Sequence, residues 1–128
     1  NREFCVADGN GVVLTINGVE HRCEPGSITK FRGDDEVYAR LIDGPIRALN
    51  LMVRDGAVEK HLQVVRAGGS IDLRNSNAVV AITGAVKLQQ KWGEVVLETL
   101  DSQVVLNSEK FIVETLCSVV EGCAIALV

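Results

Sequence analysis

The stretch from Arg40 to Arg54, RLIDGPIRALNLMVR, gathers several residues capable of chemistry into an apolar setting. Arg54 carries a guanidinium that can take a carboxylate in a bidentate grip, and Arg47 offers a second. Asn50 supplies an amide that both donates and accepts, Met52 an apolar contact, and Asp43 a carboxylate at the Asp43-Gly44-Pro45 turn. These five residues are the candidate ligand contacts, and the Arg54 guanidinium among them suits a carboxylate. Alternate side chains of a strand share a face, so Asn50, Met52 and Arg54 lie together, opposite Arg47, Leu49, Leu51 and Val53. The mixed face is expected to line a ligand cavity with Arg54 near its mouth. A buried Asn50 must then satisfy its amide, on a ligand or on a crossing strand at the Asp-Gly-Pro corner. The plainer reading of Arg54 is a solvated guanidinium paired with Asp55 or Glu59.

Other chemistries find less to build on. A metal centre needs clustered ligands, and the two histidines, His21 and His61, fall in different expected strands. His21 and Cys23 share one strand face, which alone does not make a zinc site. No metal or cofactor is therefore expected. The serines sit in turn-like contexts with no recognisable triad, and Gly68-Gly69-Ser70 lacks the strand-to-helix setting of a phosphate-binding loop. Cys5, Cys23, Cys117 and Cys123 form no CxxC pair and read as buried free thiols of a cytosolic protein. Trp92, the single tryptophan, stands beside Gly93 as a corner or interface plug.

The elements that must position these residues are short strands. At 128 residues the chain suits a single domain, and 47% hydrophobic content is ample for a core. A net charge of -4 with no basic stripe argues against nucleic acid as a partner. The most apolar stretch, Ser118 to Val128, is interrupted by Glu121 and is too short for a spanning helix, so no membrane role is expected. Runs of Val, Ile, Leu and Thr recur between Gly, Asn, Asp and Ser. Val12 to Ile16, Asn17-Gly18 and Val19 to Cys23 read as a tight type I′ hairpin. Further strands are expected at Glu36 to Ile42, Arg47 to Val53, Val58 to Val65, Val79 to Thr83 and Ala85 to Leu88. Others follow at Glu94 to Thr99, Val104 to Leu106, Phe111 to Leu116 and Ala124 to Val128. Two related β units emerge, each opening on a Val-Val strand and a glycine turn, from Val12 and from Val79. The class is all-β, a barrel or sandwich.

The motif Arg40 to Arg54 resembles the HutD/Ves family of the cupin superfamily, with its leucine-rich strand, Asp-Gly-Pro turn and Asn-hydrophobic-Met-x-Arg strand. Asn10 to Ile16, Pro25-Gly26, Phe31-Arg-Gly-Asp34 and Val79 to Gly84 extend the match across the chain. The resemblance implies a cupin-like jelly-roll barrel, a double-stranded β-helix, over residues 1–128. It also implies a cytoplasmic, metal-free protein that binds a small carboxylate metabolite. Its role would be regulatory, in histidine utilisation or a stress response. Family members carry a further N-terminal segment with Trp-x-Asn-Gly-Gly-Gly and favour an acidic residue where Ala48 stands. The chain begins at Asn1 without a methionine, so a trimmed product with an uncovered edge is expected, and with it a homodimer. Two alternatives accompany this reading. One is a metal-free isomerase or lyase using Asp43, His21, His61 or Tyr38 for acid–base work. The other is a structural interaction module.

Overall fold

The computed structural model describes residues 1–110 and 116–128, apart from the Ser108 side chain. Its strands fall into two units, Asn1–His61 and Leu62–Val128. The first unit contains β1 (Arg2–Asp8), β2 (Val12–Ile16), β3 (Val19–Cys23), β4 (Ile28–Phe31), β5 (Val37–Leu41) and β6 (Arg47–Met52). They pair antiparallel into two three-stranded sheets, ordered β4-β1-β6 and β3-β2-β5.

Alternation decides what each strand buries. Val6 of β1 packs with Val12, Leu14 and Ile16 of β2 and with Cys23, and Phe4, Phe31, Val37 and Ile46 close around them. The β2–β3 turn is the hairpin its sequence dictates. Asn17 and Gly18 both hold positive φ, 48° and 82°, the backbone that lets a two-residue loop follow the strand twist. Asn17 also ties the hairpin to the entry of β5. Its Nδ2 donates to Asp35 at 2.8 Å, and its Oδ1 accepts the Glu36 amide at 3.0 Å. The Asp43-Gly44-Pro45 corner is held from across the unit, where Asn10 Nδ2 donates to the Asp43 carbonyl at 3.0 Å.

The second unit contains β7 (Leu62–Arg66), β8 (Ser70–Asp72), β9 (Ala78–Gln90), β10 (Gly93–Leu97), β11 (Ser102–Val104), the single-turn α1 (Asn107–Lys110) and β12 (Leu116–Leu127). Its sheet runs β10-β9-β12-β7, with β11 added to β9 and β8 to β12. The two long strands change partners along their length. β9 pairs β11 through Ala78–Val80 and β10 through Val86–Gln90, while β12 pairs β8 near Leu116 and β7 beyond Gly122. The β9–β12 register slips between Glu121 and Cys123, where Thr83 and Gly84 take positive φ. At Gly122, with φ 73°, a Cβ would stand 2.4 Å from the Ala85 carbonyl oxygen, so only glycine fits this close approach. Val65, Ile71, Val79, Val86, Leu88, Leu97 and Val119 form the core of this unit.

The all-β class stands, with antiparallel pairing throughout the named strands. Several boundaries differ from the sequence reading. Val79–Thr83 and Ala85–Leu88 are one strand rather than two, because Gly84 makes a bend inside the ladder instead of a turn ending it. The strand expected from Val58 starts only at Leu62, and that expected at Ala124 is the end of β12. Except for Leu116, the strand expected at Phe111 to Leu116 lies outside the described residues. The strands β1, β4 and β8 went unforeseen. Among the described residues the sheets are open, and no ladder closes on itself.

The hairpin gives a direct test. Asn17→Ala places a Cβ-bearing residue without a side-chain acceptor at positive φ and removes two hydrogen bonds, at a cost of about 1–3 kcal/mol. Asn17→Gly keeps the backbone freedom and should cost less. Chemical denaturation of both variants checks the order, and an Ala variant as stable as wild type would remove the role given to Asn17.

Candidate functional site

The side chains of β6 alternate as expected, with the leucine face the covered one, but the mixed face meets solvent rather than a cavity. Leu49 and Leu51 are the half-buried pair, while Asn50 and Met52 are exposed, Met52 to 65%. The physical reason lies in the sheet order. β6 is the edge of β4-β1-β6, and its two leucines take the covered side in preference to an amide and a thioether. Asn50 therefore keeps its amide in water, and the expectation of a buried amide needing a partner is corrected.

The five sequence candidates do not converge. Arg47 stands opposite Asp8 in the β1–β6 register and donates to its carboxylate from Nη2 at 2.6 Å and Nε at 3.1 Å. That hydrogen bond first, and the guanidinium charge after the opposing effect of burial, hold the Asp8 carboxyl below its ordinary range. Asp43 is occupied at the corner with Asn10. Asn50 lines none of the three clefts described below. Met52 and Arg54 alone are brought together, in a cleft of about 250 Å³ with Arg2, Gly33, Val53 and Asn1.

Arg2, which sequence reasoning missed, completes this cleft. It faces Met52 on one neighbour and Phe31 on the other, so register fixes where it stands. Its guanidinium lies beside Gly33, where an added Cβ would be 3.7 Å from Nε. Arg54 lies just beyond the end of β6, and the amide of the intervening Val53 donates to the Asn1 carbonyl at 2.8 Å. Arg54 also borders a cleft of about 390 Å³ with Arg32, Gly33, Asp34, Val53, Asp55 and Asn1. There Arg32 is already neutralised, its Nε 3.1 Å from Asp34 Oδ1. The bond to Arg32 is the main reason the Asp34 carboxyl is held low. Among the described residues, neither Arg2 nor Arg54 has an ion-pair partner. The Arg54 pairing with Asp55 or Glu59 considered above is not formed.

A third cleft, about 320 Å³, shares Arg2, Arg32 and Asn1 with these and adds Glu3, Lys30, Phe31, Glu59 and His61. Glu3 projects from the middle strand β1 and is 5% exposed. Lys30, its cross-strand partner, donates to Glu3 Oε1 at 2.9 Å, and His61 Nδ1 stands 2.8 Å from the same oxygen. His61 Nε2 lies 3.2 Å from Glu59 Oε1. Of the residues considered for acid–base work, His61 alone borders a cleft. His21 and Asp43 are exposed on other segments, and the exposed Tyr38 donates to Glu36 at 2.7 Å, which raises its phenol pKa. A signal for Glu3 was present in the alternation of Glu3, Cys5 and Ala7, all buried in the structure. All four cysteines are buried and free. Among the described residues no group of His, Cys, Asp or Glu is placed to hold a metal ion. Nor is any helix there long and apolar enough to cross a membrane.

An all-β chain of antiparallel sheets with cationic clefts at one sheet end is the class these features define. The HutD family model matches residues 1–126, and the chain belongs to the HutD family. Among solved structures, it resembles a conserved protein of unknown function from Pseudomonas aeruginosa PAO1, with TM-score 0.65 and 23% identity. That match covers 98% of this chain and 70% of the other. It also resembles HutD from Pseudomonas fluorescens SBW25, described under a formate condition, with TM-score 0.62 and 27% identity over 98% of this chain and 66% of that one. A comparison with curated proteins finds no match.

The Asp8–Arg47 pair carries a pH test. Because the folded Asp8 pKa is depressed, its stabilising contribution is present above the unfolded value of about 3.9 and is lost as pH falls through the folded value. Arg47→Ala should return the Asp8 pKa towards that ordinary value. The stability difference between variant and wild type should be constant near neutrality and shrink below about pH 4. Carboxyl-detected NMR titration with parallel melts measures both, and an unmoved Asp8 pKa would show the pair to be absent in solution.

Proposed function

We propose that this chain binds a small carboxylate-bearing metabolite between Arg54 and Arg2, with Met52 as the apolar contact. The supporting observation is that these two unpaired guanidiniums border one cleft. An ionised carboxylate accepts bidentate bonds from such a fork, and neither arginine has to give up an internal carboxylate first. Asn50 lies outside this cleft and Asp43, beyond the other end of β6, is engaged with Asn10, so neither contributes to the seat, while Arg47 anchors β6 to Asp8. The role is regulatory rather than catalytic, and HutD membership together with the sequence resemblance supports a place in histidine utilisation or a stress response. In this reading residues 1–128 form one cytoplasmic, cupin-like jelly-roll domain that takes no metal and no nucleic acid. It acts as a homodimer, for which the strands at the sheet edges, β4 and β6 among them, offer unpaired backbone. Sedimentation showing a monomer at high concentration would remove the dimer from the proposal.

A melting series with formate, glutamate, N-formylglutamate and urocanate tests the site; the formate condition of the Pseudomonas fluorescens relative makes formate the natural first probe. At least one carboxylate should raise the wild-type melting temperature, and Arg54→Ala should abolish the rise. The unliganded variant should melt within about two degrees of wild type, since an exposed arginine contributes little to folding. Asn50→Ala should be nearly neutral, within about 0.5 kcal/mol, as a surface change with no buried partner to orphan. If no carboxylate shifts the wild type, or Arg54→Ala keeps the shift, the assignment fails.

A further inference from the structure

We propose that the free edge of β3 pairs with β3 of a second copy of this chain, antiparallel and centred on His21, so that Glu20 of each copy faces Arg22 of the other. This interface deepens the homodimer proposed above, on which it rests, and is independent of the carboxylate seat. β3 ends the sheet β3-β2-β5, and among the described residues β2 is its only ladder partner. The hairpin decides which backbone groups are left over. A two-residue turn makes its flanking residues, Ile16 and Val19, exchange both backbone bonds, and the pairing then alternates along the strand. Val19, His21 and Cys23 therefore turn their amides and carbonyls to β2, while Glu20 and Arg22 turn theirs to the open side. Val19 to Arg22 are all exposed, and Cys23, buried beside Thr29, marks the end of the accessible edge.

Charge complementarity names the occupant of this edge. An outer strand that must stay single offers a copy of itself no opposite charge. The other outer strands do just that: β4, β5, β6 and β7 each carry one cation, β8 and β10 each one anion, and β11 none. β3 alone holds both signs, Glu20 and Arg22, two positions apart. Reversing the strand about His21 exchanges them, so both contacts of the symmetric pair are attractive. The same two residues carry the outward backbone groups, and charge and backbone therefore call for one register. A slip of two residues either way sets Glu20 or Arg22 against its own copy, and a slip of one opposes outward groups to groups already turned to β2. Within the chain neither charge is firmly held. Glu20 has a 3.8 Å contact with Arg40, and Arg22 bonds Glu24 two positions further on, both exposed pairs of little worth. On the opposite face Val19, 59% exposed, gains cover beside the two His21 rings.

Sedimentation equilibrium of the full chain measures the dimer dissociation constant. Glu20→Lys or Arg22→Glu alone sets like charges opposite each other twice per dimer and should weaken association about tenfold or more. The double variant Glu20→Lys/Arg22→Glu reverses both signs and should return the constant to within about threefold of wild type. Mixing the two single variants should restore association as well, because each then meets the opposite sign. Both sites are exposed, so every variant should fold as wild type does. Hydrogen exchange reads the register: the Glu20 and Arg22 amides should gain protection as concentration rises, whereas His21, already bonded to β2, should change little. A wild-type dimer that ignores the single swaps, or a double variant as weak as either single one, would overturn the β3 interface and leave the homodimer to another edge. A wild type that stays monomeric at high concentration would overturn the homodimer and this interface together.

Discussion

The burial of one carboxylate, Glu3, constrains the whole candidate region. A charge removed from water inside a sheet must be compensated, or the strand that carries it will not stay in place. Here compensation comes from a cross-strand lysine and from a histidine fifty-eight positions away in sequence. Lys30 secures the β1–β4 pairing, since Glu3 and Lys30 are register partners and a shift of one residue would send them to opposite faces. His61 secures the loop that leaves β6, because its ring must reach back to β1. Both compensating side chains remain partly in water at their far ends, which moderates the desolvation that a fully interior pair would suffer. The cleft of about 320 Å³ lies where this carboxylate meets its partners at the rim.

Register then distributes the cations. Arg2, one residue before Glu3, projects to the other face and stands between Phe31 and Met52. Arg54 follows Met52 by two positions, beyond the end of the ladder, and so is free of strand geometry while still placed by the Asn1–Val53 backbone bonds. Arg47 begins the same strand yet is consumed by Asp8. These three arginines therefore do different things, and the difference is whether the pairing puts a carboxylate opposite, as it does with Asp8 for Arg47 and not for Arg2. Fold alone does not assign such roles; the site does.

The parts of the fold that sequence made legible share a local cause. Asn17-Gly18 and Asp43-Gly44-Pro45 announce themselves because the backbone there needs particular residues whatever surrounds them. The alternation of β6 was equally plain, and its leucine face is the covered one, but nothing local tells whether the opposite face meets a cavity or solvent. Strand β1 escaped because REFCVAD mixes two carboxylates and an arginine with few β-branched residues, and its strand character comes from being paired on both sides. Missing β1 meant missing Glu3 and Arg2 together. The long strand β9 was divided in two for the opposite reason. Gly84 reads locally as a turn, whereas β12 supplies the matching irregularity at Gly122 that lets the ladder resume.

The same non-local logic explains why the linear motif from Arg40 to Arg54 gave only part of the proposed seat. A single strand can present an anion with at most one side chain per two residues on a face, spaced about 7 Å apart. A bidentate carboxylate grip reinforced by a second cation needs groups closer than that, so the second group must come from a neighbouring strand. In the proposed seat it comes from β1, where Arg2 stands opposite Met52, the residue two positions before Arg54. A motif confined to one strand can therefore name the first arginine but never the second. The pairing of β1 with β6 turns two arginines fifty-two residues apart in sequence into walls of one cleft.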